Sequence, residues 1–421
     1  MTKSLEEVKE YLKSFTYSEA DNSSLFPVDD CAETIIETAE INGIVVPWFI
    51  NEYWTARQRQ AASIHEISYR ACFKAQLPRF FIELLTERGD TVYDPFSGRG
   101  TTVIEAGLLG RKVVSNDINP LSQILTYPRL AVPSPAKVEA RLEEIPHDQS
   151  LRANLDLSMF YHPETEAEIV SLKRYLEGKK RSGSDDDLDH WIRMVATNRL
   201  TGHSKGFFSV YTLPPNQAVS QESQVKINKK RKQEPEYRNT KKIMMRKTMT
   251  LLKNVLPDQV SSLREAARTG LFPERDASET GEIAGESIDL TVTSPPFLDI
   301  VQYSKDNWLR CWFNSLDTRQ IEQQITMART VEGWSAKMGR VFEELYRITK
   351  PGGWVAFEVG EVRKGKVRLD DYVIPLGLKA GFSCPGVVVN RQEFTKTANI
   401  WGVNNNQSGT NSNRIVLFNK G

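Results

Sequence analysis

The run Val92 to Thr102, VYDPFSGRGTT, constrains the fold more than any other part of the chain. Apolar residues leading to Asp94 predict a strand end, Gly98-x-Gly100 a tight turn, and Thr101 onward a helix. Glycines let a backbone turn sharply and approach a ligand closely. The following helix N-terminus offers N–H groups without intrahelical partners and the positive end of a dipole. No Lys follows the second glycine, so this is not a phosphate loop of the GxxxxGK kind, which counts against a nucleoside triphosphatase. A GxG step also occurs where a strand simply turns into a helix, so the run needs support from elsewhere.

That support comes from its surroundings. Leu77 to Arg88 predicts a helix, Thr91 to Tyr93 a strand, Thr101 to Leu109 a helix and Lys112 to Ser115 a second strand. Strand, helix, strand in this order starts a parallel sheet. Asp117 follows the second strand, where such units place an acid on ribose hydroxyls, about 20 residues beyond the glycines. An Asp that merely caps the next turn is the alternative, and the joint presence of Asp94 and Asp117 weighs against it.

The second run is VTSPPF, Val292 to Phe297, directly after the apolar IDLTV. A Pro-Pro step after a buried strand makes a rigid, extended loop and leaves carbonyls without partners. It places Ser294 and Phe297 at the C-terminal edge of the sheet, where open α/β sheets bind ligands. The α/β pattern continues with a helix at Lys337–Ile348 and a strand at Gly353–Val359. Two β-rich runs follow, Gly386–Asn390 and Arg414–Phe418, around a polar loop with Thr410, Asn411, Asn413 and Arg414.

One α/β domain with an insertion is the simplest organisation. Residues 1–60 read as a helical lead-in with a short apolar strand at Gly43–Phe49, residues 61–130 as the half with the glycine turn, 131–270 as a polar, mostly helical insert, and 271–421 as the second half. The insert holds an acidic patch, Asp185 to Asp189, and a basic block, Lys226 to Lys253, with eleven Lys or Arg against two Glu. The net charge of +1 therefore does not exclude a nucleic acid partner. Lys229, Lys230, Arg231 and Lys232 are candidates for tracking phosphates, against the alternative of a solvated helix face. The loops Gly202–Gly206 and Tyr211–Asn216 are further candidates for reaching it.

Four cysteines, far apart and without a CxxC pair, point to neither disulfides nor zinc, and no His/Cys/Asp cluster suggests a metal. No apolar run approaches the ~18 residues of a membrane span. The N-terminus reads as an amphipathic helix start rather than a signal peptide. A cytoplasmic location, associated with the nucleoid, is expected.

Taken together, the chain resembles the DNA amino-methyltransferases of bacterial restriction–modification systems, the N4-cytosine and N6-adenine group. DPFSGRGTT is similar to their cofactor motif and TSPPF to their catalytic motif. WTARQRQ from Trp54, HEISYRACFK from His65, YRITKPGGWVAF and FTKTANIWGVNNNQSGTNSNR from Phe394 look like further segments of such enzymes. The resemblance covers roughly residues 45–130 and 270–420. It implies a Rossmann-like S-adenosylmethionine-dependent methyltransferase fold, a mostly parallel seven-stranded sheet with the insert as recognition region. Double-stranded DNA is the implied substrate, and a cognate restriction endonuclease, acting separately, the implied partner.

Residue by residue, the resemblance implies cofactor contacts at Asp94, Phe96, Gly98, Gly100, Thr101, Thr102 and Asp117. Phe73 would close over the methionine end and Asp276 would meet the adenine amine. Ser294 and the Pro295 carbonyl would accept the amine hydrogens of the target base. Pro296 completes the turn, and Phe297 would stack on a base flipped from the duplex at about a few kcal/mol. The transfer would be direct and dominated by positioning. No Pro-Cys motif is present, which argues against C5-cytosine chemistry. Ser before Pro-Pro favours N4 of cytosine, with N6 of adenine as runner-up. An RNA base-amine enzyme and an inactive DNA-binding protein are more distant alternatives.

Overall fold

The computed structural model describes residues 3–16, 33–54, 61–69, 72–214, 218–296, 303–324, 330–362, 367–391 and 412–421. Among these, eight strands form the main sheet: β1 (Ile35–Ile41), β2 (Ile44–Asn51), β3 (Thr91–Asp94), β4 (Lys112–Ser115), β5 (Ile288–Thr293), β6 (Thr349–Val359), β9 (Ser383–Arg391) and β10 (Ser412–Asn419). A two-residue pair, β7 (Glu361–Val362) and β8 (Val367–Arg368), stands apart. The order is β1-β2-β9-β10-β6-β5-β3-β4. The pairs β4–β3, β3–β5, β5–β6 and β2–β9 are parallel, whereas β10 runs antiparallel to both β6 and β9.

The architecture is the expected α/β one, with eight strands rather than seven. The N-terminal region was expected to be a helical lead-in with one short strand at Gly43–Phe49; that strand is β2, and β1 is the one not expected. Beyond helix α1 (Leu5–Ser14) it forms the β1–β2 hairpin, and β2 joins the sheet beside β9. Asn42 and Gly43 both have positive φ, 51° and 80°, as a two-residue hairpin turn requires. The Asn-Gly step between two apolar runs was the available signal.

Helices α2 (Gln76–Leu85), α3 (Thr101–Leu108) and α4 (Leu121–Leu130) surround the first half of the sheet. The insert then contributes α5 (Pro135–Glu144), α6 (Pro163–Ser182), α7 (Asp187–Arg199), α8 (Gln221–Arg231), α9 (Thr240–Leu252) and α10 (Pro257–Thr269). Buried side chains of the insert, Trp191 of α7 and Phe208 of the loop after it among them, belong to one apolar cluster with Val92 of β3 and Ile104 of α3. The insert thus shares a core with α3 and α4. Its acidic patch is a helix start: Asp186 caps α7, and Arg141 of α5 binds Asp186 at 2.8 Å and Asp189 at 2.7 Å. At its end the chain returns along β4 as a single bridge, Val114 to Leu271. Helices α11 (Tyr303–Asn314), α12 (Thr318–Gln324), α13 (Val331–Ile348) and α14 (Asp370–Ala380) complete the fold. Val331, Trp334, Met338, Val341, Phe342 and Leu345 of α13 recur at helical spacing and pack into the second apolar cluster.

Candidate active site

Strands β4 and β5 flank β3 on opposite sides, so the connections leaving β3 and β5 diverge and open a crevice at their C-terminal ends. Both sequence motifs lie there. The glycine turn after β3 depends on positive φ at Gly98 (53°) and Gly100 (74°). A Cβ on Gly100 would lie 2.9 Å from the Thr126 Cβ, so the turn admits no side chain at that point.

The expected cofactor residues cluster, with differing surroundings. Asp94 is almost fully buried; its carboxylate accepts from the Phe96 N–H at 3.1 Å and the Thr293 hydroxyl at 2.6 Å. Burial pushes it up to about 7 against these hydrogen bonds. The Thr102 hydroxyl donates to the Val292 carbonyl at 3.1 Å. Asp94 and Thr102 therefore tie the glycine turn to the strand that carries the second motif. Asp117, partly exposed, accepts from the N–H groups of Gly98 at 2.8 Å and Asn119 at 2.9 Å. Burial raises it to about 6. Thr101 is buried at the start of α3, while Phe96 and Phe73 are partly buried.

Asp276 is brought to the same edge by a residue the sequence reading missed. Fully buried Asn116 donates to the Pro95 and Arg275 carbonyls and accepts from the Arg275 N–H, joining the 275–276 segment to the glycine turn. The Asp276 carboxylate accepts from the Ser278 N–H and hydroxyl and pairs with Lys337 of α13. Burial opposes its ionisation, but these partners outweigh it and lower its pKa.

Arginines hold the segment before α2 against the glycine turn. Arg99 donates to the carbonyls of Ile67 and Phe73, Arg129 to that of Ile64, and Arg310 to that of Ser68. Below it, His65 Nε2 meets Glu105 of α3 at 2.6 Å, which accounts for the first letter of HEISYR only as a structural anchor.

At the second motif Ser294 is partly buried and Pro295 buried; Phe297 lies outside the described residues. Next to Ser294 stands Glu358 near the end of β6, 8% exposed. Burial pushes it up to about 7, opposed by hydrogen bonds with the side chains of Asn413 and Ser294. Asn413 Nδ2 donates to it at 2.5 Å. Glu358 was not singled out from the sequence, where it reads as one polar letter in WVAFEV. The register Thr293↔Phe357 is what places it beside Ser294. Asn413 brings the start of β10 into the site, whereas Arg414 turns to Asp370 at 3.4 Å; Thr410 and Asn411 lie outside the described residues, as do residues 394–409.

The basic block divides. Lys229, Lys230, Arg231 and Lys232 are exposed at the end of α8, with Arg231 over the Tyr211 ring at 3.7 Å. Arg238 instead donates to the carbonyls of Ser204, Phe207 and Ser209, and Lys247 is buried 3.9 Å from Glu66. Among the described residues no group of His, Cys, Asp or Glu could hold a metal ion, and no helix is long and apolar enough to cross a membrane.

Residues 38–123 match the DNA methylase family model. The chain is 24% identical over 308 residues to the Type II methyltransferase M.BsoBI of Geobacillus stearothermophilus, covering 65% of this chain and 57% of that one. It is 32% identical over 97 residues to the Type II methyltransferase M.MvaI of Kocuria varians, covering 22% and 20%. The matches thus span less than two thirds of either relative. Among solved structures, the rRNA methyltransferase aviRa from Streptomyces viridochromogenes shares 12% identity over 88% of this chain and 92% of its own, at a TM-score of 0.32. A DNA modification methylase from Thermus thermophilus, TTHA0409, complexed with S-adenosyl-L-methionine, shares 22% over 34% and 53%, at 0.22. Likenesses at such scores carry no functional argument.

Proposed function

We propose that this chain, which carries the DNA methylase signature over residues 38–123, methylates the N4 amine of cytosine in duplex DNA as the modification enzyme of a restriction–modification system. S-adenosylmethionine would supply the electrophilic methyl group. The residues present fit it: the side-chain-free turn at Gly98 and Gly100 with the α3 N-terminus for a carboxylate, Asp117 for hydroxyls, and the Asp276 segment for an amine-bearing ring.

The observation that carries the reading is Glu358 beside Ser294. An exocyclic amine is a poor nucleophile because its lone pair is delocalised into the ring. A hydroxyl that accepts an amine hydrogen must point its own proton elsewhere, and ionised Glu358 takes it. Ser294 is thereby held as an acceptor facing the amine. The Pro295 carbonyl is a second acceptor, one with no N–H of its own to compete. Together they would localise the lone pair, a positional and electrostatic contribution that requires no covalent intermediate.

The test is methyl transfer from labelled S-adenosylmethionine to duplex DNA, followed by digestion to nucleosides. N4-methylcytosine is the expected product, and Ser294→Ala is expected to lose most of it while still binding cofactor. N6-methyladenine alone would reassign the base and keep the class. 5-Methylcytosine would overturn the mechanism.

A further inference from the structure

Neither Pro295 nor Pro296 has an N–H, so these two residues offer their surroundings only carbonyls. If the Pro295 carbonyl is to stay available to a substrate amine, an outside donor has to fix the loop at another point. Trp334 is placed to do this. It is 3% exposed, in the first turns of α13, and its indole N–H donates to the Pro296 carbonyl at 3.0 Å.

The helix that carries Trp334 is itself well anchored. Thr330 caps it by accepting from the Gly333 N–H at 3.1 Å, and Val331, Trp334 and Met338 are buried in the sheet-facing cluster. Three residues on, Lys337 pairs with Asp276. Residues one turn apart share a helix face, so α13 spans from the proline turn to the Asp276 segment.

We propose that Trp334 is a positioning residue of the transfer reaction: its indole N–H sets the Pro296 peptide, and so the Pro295 carbonyl and Ser294, in the orientation the amine requires. This inference rests on the methyltransferase reading. Trp334 touches neither of the reacting groups and acts through Pro296.

The experiment compares wild type, Trp334→Phe, Trp334→His and Met338→Leu in steady-state DNA methylation, with cofactor affinity by calorimetry and thermal unfolding measured alongside. Phe keeps an apolar ring but has no donor. The imidazole of His overlays the five-membered ring of indole and can present an N–H at the same place. Trp334→Phe is expected to lower kcat by about tenfold with KM for DNA and cofactor Kd unchanged, the effect of one lost hydrogen bond felt only in the transition state. Trp334→His is expected to recover activity above the Phe variant, although it packs less well. Met338→Leu, a packing change on the same helix, should leave kcat within about twofold. A Phe variant with wild-type kcat, or His and Phe variants equally impaired, would overturn the proposal. If the wild-type protein transfers no methyl group to DNA, the methyltransferase reading itself fails before the variants are compared.

Discussion

The glycine turn after β3 and the proline turn after β5 lie side by side, yet they are held in opposite ways. The first is closed within residues 94–117, besides the ties of Asp94 and Thr102 to β5. The Ser97 N–H reaches the Asn116 carbonyl at 3.0 Å, the Gly100 N–H reaches the Ser97 carbonyl at 2.6 Å, and Asp117 takes the Gly98 N–H. The second is fastened from far along the chain, by Trp334, Glu358 and, through Glu358, Asn413. A turn rich in N–H groups can bind itself around one carboxylate. A turn built on two prolines has none at those positions and must borrow donors and acceptors from other elements. A local motif can therefore close the glycine turn, whereas the proline turn is held only when β5, β6, β10 and α13 are assembled.

The sharpest way to break this contrast is Glu358→Gln, which replaces the charged acceptor with a neutral amide and leaves the glycine turn intact. We expect kcat to fall by about tenfold to a hundredfold, the scale of a lost charge-assisted hydrogen bond, with cofactor affinity unchanged. In wild type the acceptor works when ionised. With Glu358 held near 7, activity should rise as pH increases through that value, and the acid limb should vanish in the residual activity of the variant. Stability should move oppositely. The folded state holds this proton more tightly than the unfolded chain, so the contribution is fully present below the ordinary carboxylate range and is lost as pH rises through about 7. Glu358→Gln is accordingly expected to melt higher than wild type at about pH 8. A variant with full activity, or one melting lower at that pH, would contradict this assignment.

Asp117→Ala addresses the other turn and is expected to have a smaller, purely binding effect. A charged acceptor contributes roughly 1.5–3 kcal/mol per hydrogen bond, so cofactor affinity should drop at least about tenfold. Asp117 also closes the turn through Gly98, so part of the loss would come from a looser loop. Asp117→Asn keeps an oxygen acceptor for that N–H and is expected to fall between wild type and Ala. Titration calorimetry giving an unchanged Kd for Ala would remove Asp117 from the cofactor site.

The same contrast explains what the sequence made legible. Strand, glycine turn, helix and second strand could be placed within a residue or two, because each is signalled by letters within the run itself. Ser294 and its prolines were legible for the same reason. Asn413 was visible as one of four polar residues of its loop, but Glu358, Asn116 and Trp334 were not. Each is a single polar or aromatic residue in an ordinary-looking strand, loop or helix, and its role arises from register and packing across 38 residues for Trp334 and 159 for Asn116. In the N-terminal hairpin the second strand was legible at Gly43–Phe49, and the first escaped for a different reason. Its exposed strand IIETAEI carries little periodic signal, so only the Asn-Gly turn announces it.

The smallest effect is expected far from both turns, at the basic block, and it tests whether the insert adds binding without touching chemistry. Of its eleven cations several are committed to structure: Arg238 to three carbonyls, Lys241 to Glu143 at 3.5 Å, and Lys247 to a buried place near Glu66. Lys229, Lys230 and Lys232 are exposed, and Arg231 is partly engaged over Tyr211. All four sit at the C-terminal end of α8, where positive charge also favours the helix dipole. Replacing the four with Gln should weaken DNA binding and lower the slope of log affinity on log salt by about 0.9 for each lost phosphate contact, so by roughly 3 if Arg231 contributes little. Cofactor Kd and kcat at saturating DNA should not move, because neither turn is fastened by this helix. An unchanged salt slope would make the block a solvated helix face, and a changed kcat would mean that the insert reaches the proline turn after all.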